Sequence, residues 1–420
     1  MSTTTPSRPT GLPHAVFLQR VADEPATSPE VRLGQGAFLA LRFVDLLAPD
    51  REPPTPDVFR YQWAATERYC AELAGEGTEA SHLSCIVRAA GEAHQGGDIQ
   101  LLAPALFAYA LYLEQESQFE EAEDALLTMI SIGRDRMQVT DAITAWMRLG
   151  RVRRLQADFD QADMAYAEAG KLAEAAGDRQ AVLSSRIGRT NVVYFRGNLD
   201  EAERCWQAIL TDSAETPYRR IIAEAEHGLG NLLNRRGRPH ESPPRLWRAF
   251  ELYEDESLQL RALNDLGIVM LRLGDVHAAD QALGEVVRRE KSGENLQNAL
   301  IELMNCASYR RDRVGFERWR ERCLEHLGRA APNIRCDYHM KAGVGFARFD
   351  SVRRAETELH KAHEVAIAHG LHELVFRIEP MLKDIKECGA LEQIESAAPT
   401  NVCETASLKE VSASLATLGN

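Results

Sequence analysis

Residues 146–169 read WMRLGRVRRLQADFDQADMAYAEA, and this stretch decides the fold. Its apolar residues recur every three or four positions, which is typical of amphipathic α-helices. A small residue, Gly150, lies in the first run, and Ala162 and Tyr166 lie in the second. The two runs are separated by a short turn at Ala157. The stretch therefore predicts two antiparallel helices that approach closely at their small residues.

The same pattern recurs along much of the chain, and a fixed period of this kind is the signature of a repeat protein. The small residue of the first helix recurs at Ala110, Gly150, Thr190, Gly230, Gly267 and Gly343, with a degenerate unit near Ala307. A large residue of the second helix, predicted to fill the seam between units, recurs at Leu126, Tyr166, Trp206, Leu246, Leu283 and Leu359. The turn between the helices is predicted at Ser117, Ala157, Gly197, Gly237, Gly274 and Asp350.

This order of Leu-Gly, turn, Ala and large apolar residue resembles the tetratricopeptide repeat family over about 105–375. HEAT and armadillo repeats share the period near 40, but the residue order favours tetratricopeptide repeats. The resemblance implies an all-α fold, a right-handed superhelical solenoid of antiparallel helix pairs. The period exceeds the family's usual 34 residues, which indicates longer helices or loops.

The ends of the chain depart from the repeat. Residues 1–30 are rich in Thr, Ser and Pro and are predicted to be a disordered tail. Residues 31–100 are predicted to be a helical cap or degenerate repeats, because a repeat array needs capping units. The array is predicted to span 101–387. The polar segment 388–420 is predicted to be a weakly ordered tail.

Composition and motifs argue against several classes of function. The net charge of −14 argues against a global affinity for nucleic acid or anionic membrane, and the run RRGRPHESPPR at 235–245 lacks interleaved aromatic residues. No G-x-x-x-x-G-K-[ST] or H-E-x-x-H motif is present. We therefore expect no enzyme activity and no cofactor. His360, His363, His369 and His372 are interpreted as surface residues and not as metal ligands.

The sequence also indicates the compartment. The eight cysteines are scattered without a C-x-x-C pair, so they are expected to be reduced and mostly buried as small apolar residues. The N-terminus has no apolar signal region, and no apolar run reaches the roughly 18 residues of a membrane span. These features predict a cytoplasmic protein without a membrane partner.

The first helices of such an array line its concave face, which is the usual binding surface. Counting from the small residue of each unit places polar side chains on this face. The candidate peptide-binding residues are Arg151, Arg154, Asn191, Tyr194, His227, Asn231, Asn234, Arg235, Arg261, Asn264 and Arg272. Asn can pair with an extended peptide backbone, and Arg offers a fork for carboxylate groups.

These observations favour a protein–protein interaction scaffold that binds a peptide or an extended segment in the concave groove. Acidic or C-terminal carboxylate groups would suit its arginines. One alternative is a regulatory sensor of bacterial type, with the repeats as the ligand-sensing part and residues 35–100 as an effector segment. Another is an oligomerisation scaffold. The polar residues predicted on the concave face could also be ordinary solvated side chains. The sequence leaves the oligomeric state open.

Overall fold

The structure is a computed structural model that describes residues 12–20, 28–50, 52–328, 330–388 and 405–418. Within these ranges it contains nineteen α-helices and no β-strand, which confirms the all-α prediction. The chain divides into two compact units, unit 1 (Met1–Gly197) and unit 2 (Asn198–Asn420).

Unit 1 contains eight of these helices, and α4 to α7 form two consecutive antiparallel pairs. The helices are α1 (Pro29–Val44), α2 (Pro56–Glu72), α3 (Thr78–Gly96), α4 (Leu102–Gln115), α5 (Phe119–Gly133), α6 (Val139–Leu155), α7 (Phe159–Ala176) and α8 (Arg179–Phe195). The buried residues of α1 to α3 share one continuous core with those of α4 to α6. The N-terminal helices therefore pack as part of the repeat array of unit 1.

Unit 2 contains the other eleven described helices, which include four more first-and-second helix pairs. They are α9 (Leu199–Ser213), α10 (Arg219–Arg235), α11 (Ser242–Leu252), α12 (Glu256–Arg272), α13 (Val276–Arg289), α14 (Glu294–Tyr309), α15 (Arg313–Leu327), α16 (Pro332–Arg348), α17 (Val352–Ala368), α18 (His372–Cys388) and α19 (Ala406–Leu418). The degenerate unit near Ala307 is the regular pair α14–α15.

In four of the described pairs, a glycine of the first helix faces a large residue of the second, as the sequence predicts. A Cβ atom added at Gly230 would lie 2.7 Å from Leu246, and one added at Gly267 would lie 2.6 Å from Leu283. Real Cβ atoms essentially never approach another heavy atom this closely. The missing side chain therefore lets the second helix rest on the backbone of the first, at the density of a protein interior.

The turns between paired helices adopt the left-handed conformation at the predicted positions. The φ angle is +77° at Gly237 and +87° at Gly274, and it is also positive at the non-glycine residues Ser117, Ala157 and Asp350. A residue in this conformation ends a helix and lets the chain reverse. The next helix then begins at a side-chain cap, since Asp275 accepts a hydrogen bond from the Ala278 N–H at 3.0 Å.

Exchanging the turn residues between two units should change stability in opposite directions. Gly237→Ala is expected to destabilise the fold by about 1 kcal/mol, because a Cβ disfavours positive φ even though no other atom lies within 4 Å. Ala157→Gly, at φ +61°, should stabilise it by about 0.5 kcal/mol. Urea denaturation followed by helicity measures both, and shifts of the same sign would contradict this account.

The prediction of a disordered tail over 1–30 is wrong for residues 12–20. This segment contains a short 3₁₀ helix, Ala15–Leu18, and Phe17 is fully buried in the core of unit 1. This segment reads LPHAVFLQR, and three of its side chains find partners far along the chain. The remainder of the predicted tail, residues 1–11 and 21–27, lies outside the described residues.

The C-terminal segment also differs from the expectation. Residues 406–418 form a regular helix, α19, where the sequence predicts weakly ordered chain. Leu408, Val411 and Leu415 of this helix are buried against α11 and α13, and the Ser412 hydroxyl donates to Asp275 at 2.8 Å. These apolar residues are spaced three and four apart, which places them on one helix face. Residues 389–404 lie outside the described residues.

Candidate peptide-binding surface

Three polar side chains on α10 and α12 of unit 2 form one hydrogen-bonded cluster. His227 Nε2 lies 2.7 Å from Asp265 Oδ2, and Asn231 Nδ2 donates to the same oxygen at 2.8 Å. His227 is buried, whereas the Asp265 side chain is 28% exposed. Two of the predicted binding residues are therefore joined by a carboxylate that reaches the surface.

The hydrogen bonds define the proton positions in this cluster. A carboxylate can only accept, so His227 Nε2 must carry the proton that it shares with Asp265. His227 Nδ1 lies 3.1 Å from the hydroxyl of Tyr253 and can accept a hydrogen bond from it. Tyr253 is buried at the start of the connection between α11 and α12. The imidazole thus links a buried phenol to a partly exposed carboxylate.

Electrostatics keep this carboxylate ionised. Burial raises the pKa of Asp265. Hydrogen bonds from His227 and Asn231 and the charge of Arg261 lower this pKa by a larger amount, so the net pKa lies below its ordinary value. Burial raises the pKa of Tyr253 to about 12, against the opposing effect of Arg261. At neutral pH the cluster therefore presents a negative oxygen beside a neutral phenol.

Two exposed arginines flank this carboxylate along α12. Arg261, Asp265 and Arg272 are separated by four and seven residues, so they lie on one stripe of the helix. Arg272 Nη1 donates to the side-chain and backbone oxygens of Asn234, both at 2.9 Å. Within the described ranges, neither Arg261 nor Arg272 lies in an ion pair, whereas other arginines of unit 2 do, namely Arg236, Arg238, Arg245, Arg288, Arg289 and Arg354. Arg235 is also exposed, at the end of α10.

Asn264 is placed differently from its neighbours, because it is buried under the surface of α12. Its amide donates to the backbone oxygen of Asn295 at 2.9 Å. The Oδ1 atom forms no hydrogen bond within the described part of the chain. A buried acceptor without a partner costs about 1–3 kcal/mol. Asn264 therefore contributes to the packing of α12 and α14 and is not an exposed contact residue.

The predicted residues of unit 1 lie on α6 and α8. Arg151 pairs with Glu114, and the Arg154 guanidinium lies 4.8 Å from the ring centroid of Phe195. Asn191 is half-buried, and Tyr194 packs edge-on against Phe195 with ring centroids 5.2 Å apart. The two arginines of this unit are therefore already engaged by neighbouring side chains.

Sequence counting missed two members of the unit 2 cluster. Asp265 lies two positions before the small residue Gly267, and this position was not counted as inward-facing. Its neighbour Asn264 was chosen instead. Tyr253 lies in a connection and has no repeat position. A carboxylate beside an aligned Asn on the preceding first helix is the signal that would have found Asp265.

The other polar features are occupied by local contacts. In the basic run 235–245, Arg236 and Arg238 both pair with Glu203, and Arg245 pairs with Glu226. Among the described residues, no group of three His, Cys, Asp or Glu side chains is arranged to hold a metal ion. None of the described helices is long and apolar enough to cross a membrane. Six cysteines have a described burial, and four of them, Cys70, Cys306, Cys323 and Cys336, are buried.

The fold is similar to that of two solved regulators. The apo form of the quorum sensor NprR from B. thuringiensis has a TM-score of 0.52 and 10% identity over 83% of this chain and 91% of that chain. The Rap conjugation gene regulator of the plasmid pLS20, in complex with the Phr* peptide, has a TM-score of 0.51 and 12% identity over 85% and 98%. No protein-family model and no curated protein matches the sequence. The residue pattern, the helix pairs and these similarities together show that the chain has a tetratricopeptide-like helical-repeat fold.

Proposed function

We propose that the protein binds a peptide, or an extended segment of a partner protein, along the first helices of unit 2. The observation that carries the proposal is the stripe of Arg261, Asp265 and Arg272 on α12. It combines two exposed cations with one carboxylate that His227 and Asn231 fix by hydrogen bonds. The arginines are eleven residues apart, or about 16 Å along a helix. An extended peptide covers this distance in about five residues.

The stripe suggests the chemistry of the ligand. Arg261 and Arg272 can each form a fork of hydrogen bonds with a carboxylate. Asn231, Asn234 and the free oxygen of Asp265 can bond to backbone amide groups between them. The ligand would thus carry two acidic groups, one of which can be a C-terminal carboxylate. The Phr* complex of the pLS20 regulator shows that a protein of this fold can be found with a peptide.

This proposal describes a binding protein, acting in the cytoplasm, with no catalytic role. The regulatory alternative assigns an effector role to residues 35–100. The shared core of α1 to α6 favours a cap that belongs to the array over an effector that folds separately. A regulatory role remains compatible with peptide binding, because a cap can transmit the bound state to a partner. The proposal therefore concerns the ligand and its surface.

Reversing the charge of either exposed arginine on α12 should weaken peptide binding. A displayed library of random peptides is selected on the full chain, and the affinities of the enriched peptides are then measured for Arg261→Glu and Arg272→Glu. Each substitution is expected to weaken binding about tenfold or more, because a charge-assisted contact contributes about 1.5–3 kcal/mol. Helicity should be unchanged.

Arg288→Glu is the matched control, since Arg288 is an exposed arginine on the second helix α13 and pairs locally with Glu285. Its affinity for the same peptides should equal that of the wild type. Peptides that bind all three variants equally, or a selection that enriches none, would contradict the proposed surface.

A further inference from the structure

Unit 1 binds a short piece of its own chain through three side chains spaced three residues apart. These are His14, Phe17 and Arg20, and each is held by residues about 60 to 110 positions further on or by the end of α1. None of the three contacts is local in sequence. The segment therefore sits on unit 1 in the manner of a bound peptide ligand.

His14 lies between two carboxylates. Nδ1 is 2.5 Å from Asp124 Oδ2 of α5, and Nε2 is 3.2 Å from Asp45 Oδ2 just after α1. The His14 side chain is fully buried. Arg42 is the other charge beside this group, 3.9 Å from the same Asp45 oxygen. Nδ1 is hydrogen-bonded to Asp124, whereas Nε2 only contacts Asp45 and forms no hydrogen bond within the described part of the chain. A positive charge on the ring attracts both carboxylates, and a neutral ring has only one N–H to offer.

Phe17 provides the apolar part of the contact. It is fully buried and stacks on Tyr109 of α4, with ring centroids 6.3 Å apart and an interplanar angle of 18°. The Tyr109 hydroxyl donates to Glu79 of α3 at 2.8 Å. This bond orients the carboxylate that receives the next side chain of the segment.

Arg20 closes the contact with a fork of charged hydrogen bonds. Nε and Nη2 donate to the two oxygens of Glu121, and Nη1 donates to Glu79 at 2.9 Å. Nη2 also reaches Gln118 at 3.0 Å. The carboxylates of Glu79 and Glu121 are both nearly buried. A bidentate pair of this kind is a strong and geometrically specific contact.

Gly34 of α1 makes room for the segment. A Cβ added there would lie 2.5 Å from the backbone oxygen of Phe17 and 3.0 Å from the Arg20 side chain. Gly34 lies inside a helix, where glycine is less favourable than alanine by about 0.5–1 kcal/mol. Its presence is explained by the close approach of the segment.

We propose that α1, α3, α4 and α5 of unit 1 form a proton-dependent docking surface for a His-x-x-Phe-x-x-Arg segment, and that residues 12–20 of the same chain occupy it. The four acidic residues Asp45, Glu79, Glu121 and Asp124 define the recognised chemistry, which is two cations flanking one aromatic ring. An incoming partner peptide with this spacing would compete with the chain's own segment.

Docking should weaken as the pH rises. Burial lowers the pKa of His14, but hydrogen bonds and charge from Asp124 and Asp45 raise it more, so the net pKa lies above its ordinary value of about 6.5. The contribution of His14 is therefore complete below that value. It is lost as the pH rises through the raised pKa, because the neutral ring no longer attracts the two carboxylates beside it.

Hydrogen exchange of the full chain, read by mass spectrometry and corrected for intrinsic exchange, tests the proposal. The amides of Phe17 and Gln19 bond within the segment. They should be protected at about pH 6 and lose protection at about pH 9. In His14→Gln the protection should no longer depend on pH. In Gly34→Ala the protection of these two amides should be lost at both pH values, while the amides of the α-helices remain protected.

Gly284→Ala is the control for a glycine-to-alanine change inside a helix, since no atom lies within 4 Å of a Cβ there. It should leave the segment protected as in the wild type. Wild-type protection that does not change with pH, or protection that survives in Gly34→Ala, would overturn the proposal. Protection that falls on dilution would show that the occupant comes from a second copy, which also overturns docking within one chain.

Discussion

Trp206→Ala is expected to destabilise unit 2 by about 3–5 kcal/mol, the usual cost of emptying a large buried aromatic site. Trp206 is only 1% exposed. Its ring lies against the bare backbone of α10, where a Cβ added at Gly228 would be 2.4 Å away. Buried residues elsewhere on these helices, such as Ile209 of α9 and Leu229 of α10, oppose a movement that would fill the cavity. Guanidinium denaturation followed by helicity measures the loss.

Trp247→Ala serves as the comparison, because it removes the same side chain from a half-buried position on α11. Trp247 Nε1 donates to Glu251, and its ring packs against Phe250 near the surface. Folding removes less apolar area from water at Trp247 than at Trp206. The loss of stability in Trp247→Ala should therefore be less than half of that in Trp206→Ala. Equal losses of stability would mean that the close contact between Trp206 and Gly228 does not set the stability of unit 2.

The repeat architecture was predictable because its determinants are local and recur. Gly230 and Leu246, for example, are close in sequence and meet within one helix pair. The alignment of units even located the turn at Ala157, where the residue type alone would not predict positive φ. A weak signal at one unit is strengthened by the same signal in the others.

The two terminal segments were not predictable for the opposite reason. His14 meets Asp124 across 110 residues, and Ser412 meets Asp275 across 137. Neither segment repeats, so no second copy of the pattern exists to compare. The segment 12–20 directly follows a stretch rich in Thr, Ser and Pro, which has the composition of disorder, and only its distant partners provide the burial that orders it.

The candidate surface was predicted in part. Counting from the small residue placed His227 and Asn231 on one face of α10, and each of them bonds to Asp265. It could not show that Asp265 lies between them, because the contact depends on the distance between neighbouring first helices. Burial of Asn264 has the same origin, since its amide bonds to Asn295 in the first turn of α14.

A second large effect is expected at Lys341 on α16, where Lys341→Met should destabilise unit 2 by about 2–4 kcal/mol. The Lys341 ammonium donates to Glu302 of α14 and to Asp337 at 2.6 Å. Glu302 is only 4% exposed, so loss of the cation leaves a buried carboxylate unpaired, and breaking such a pair is strongly destabilising. Chemical denaturation at neutral pH measures the change.

Two further variants test whether the charge is responsible. Glu302→Gln added to Lys341→Met should recover part of the loss, because the double variant no longer buries a charge. Lys361→Met removes a comparable lysine from an exposed pair with Glu358 and should cost less than about 0.5 kcal/mol. The two carboxylates raise the pKa of Lys341, although burial opposes them. The stabilisation is therefore complete below the ordinary lysine pKa of about 10.4 and is lost as the pH rises through the raised value. A Lys341→Met variant as stable as Lys361→Met would show that the buried carboxylate is neutralised in some other way.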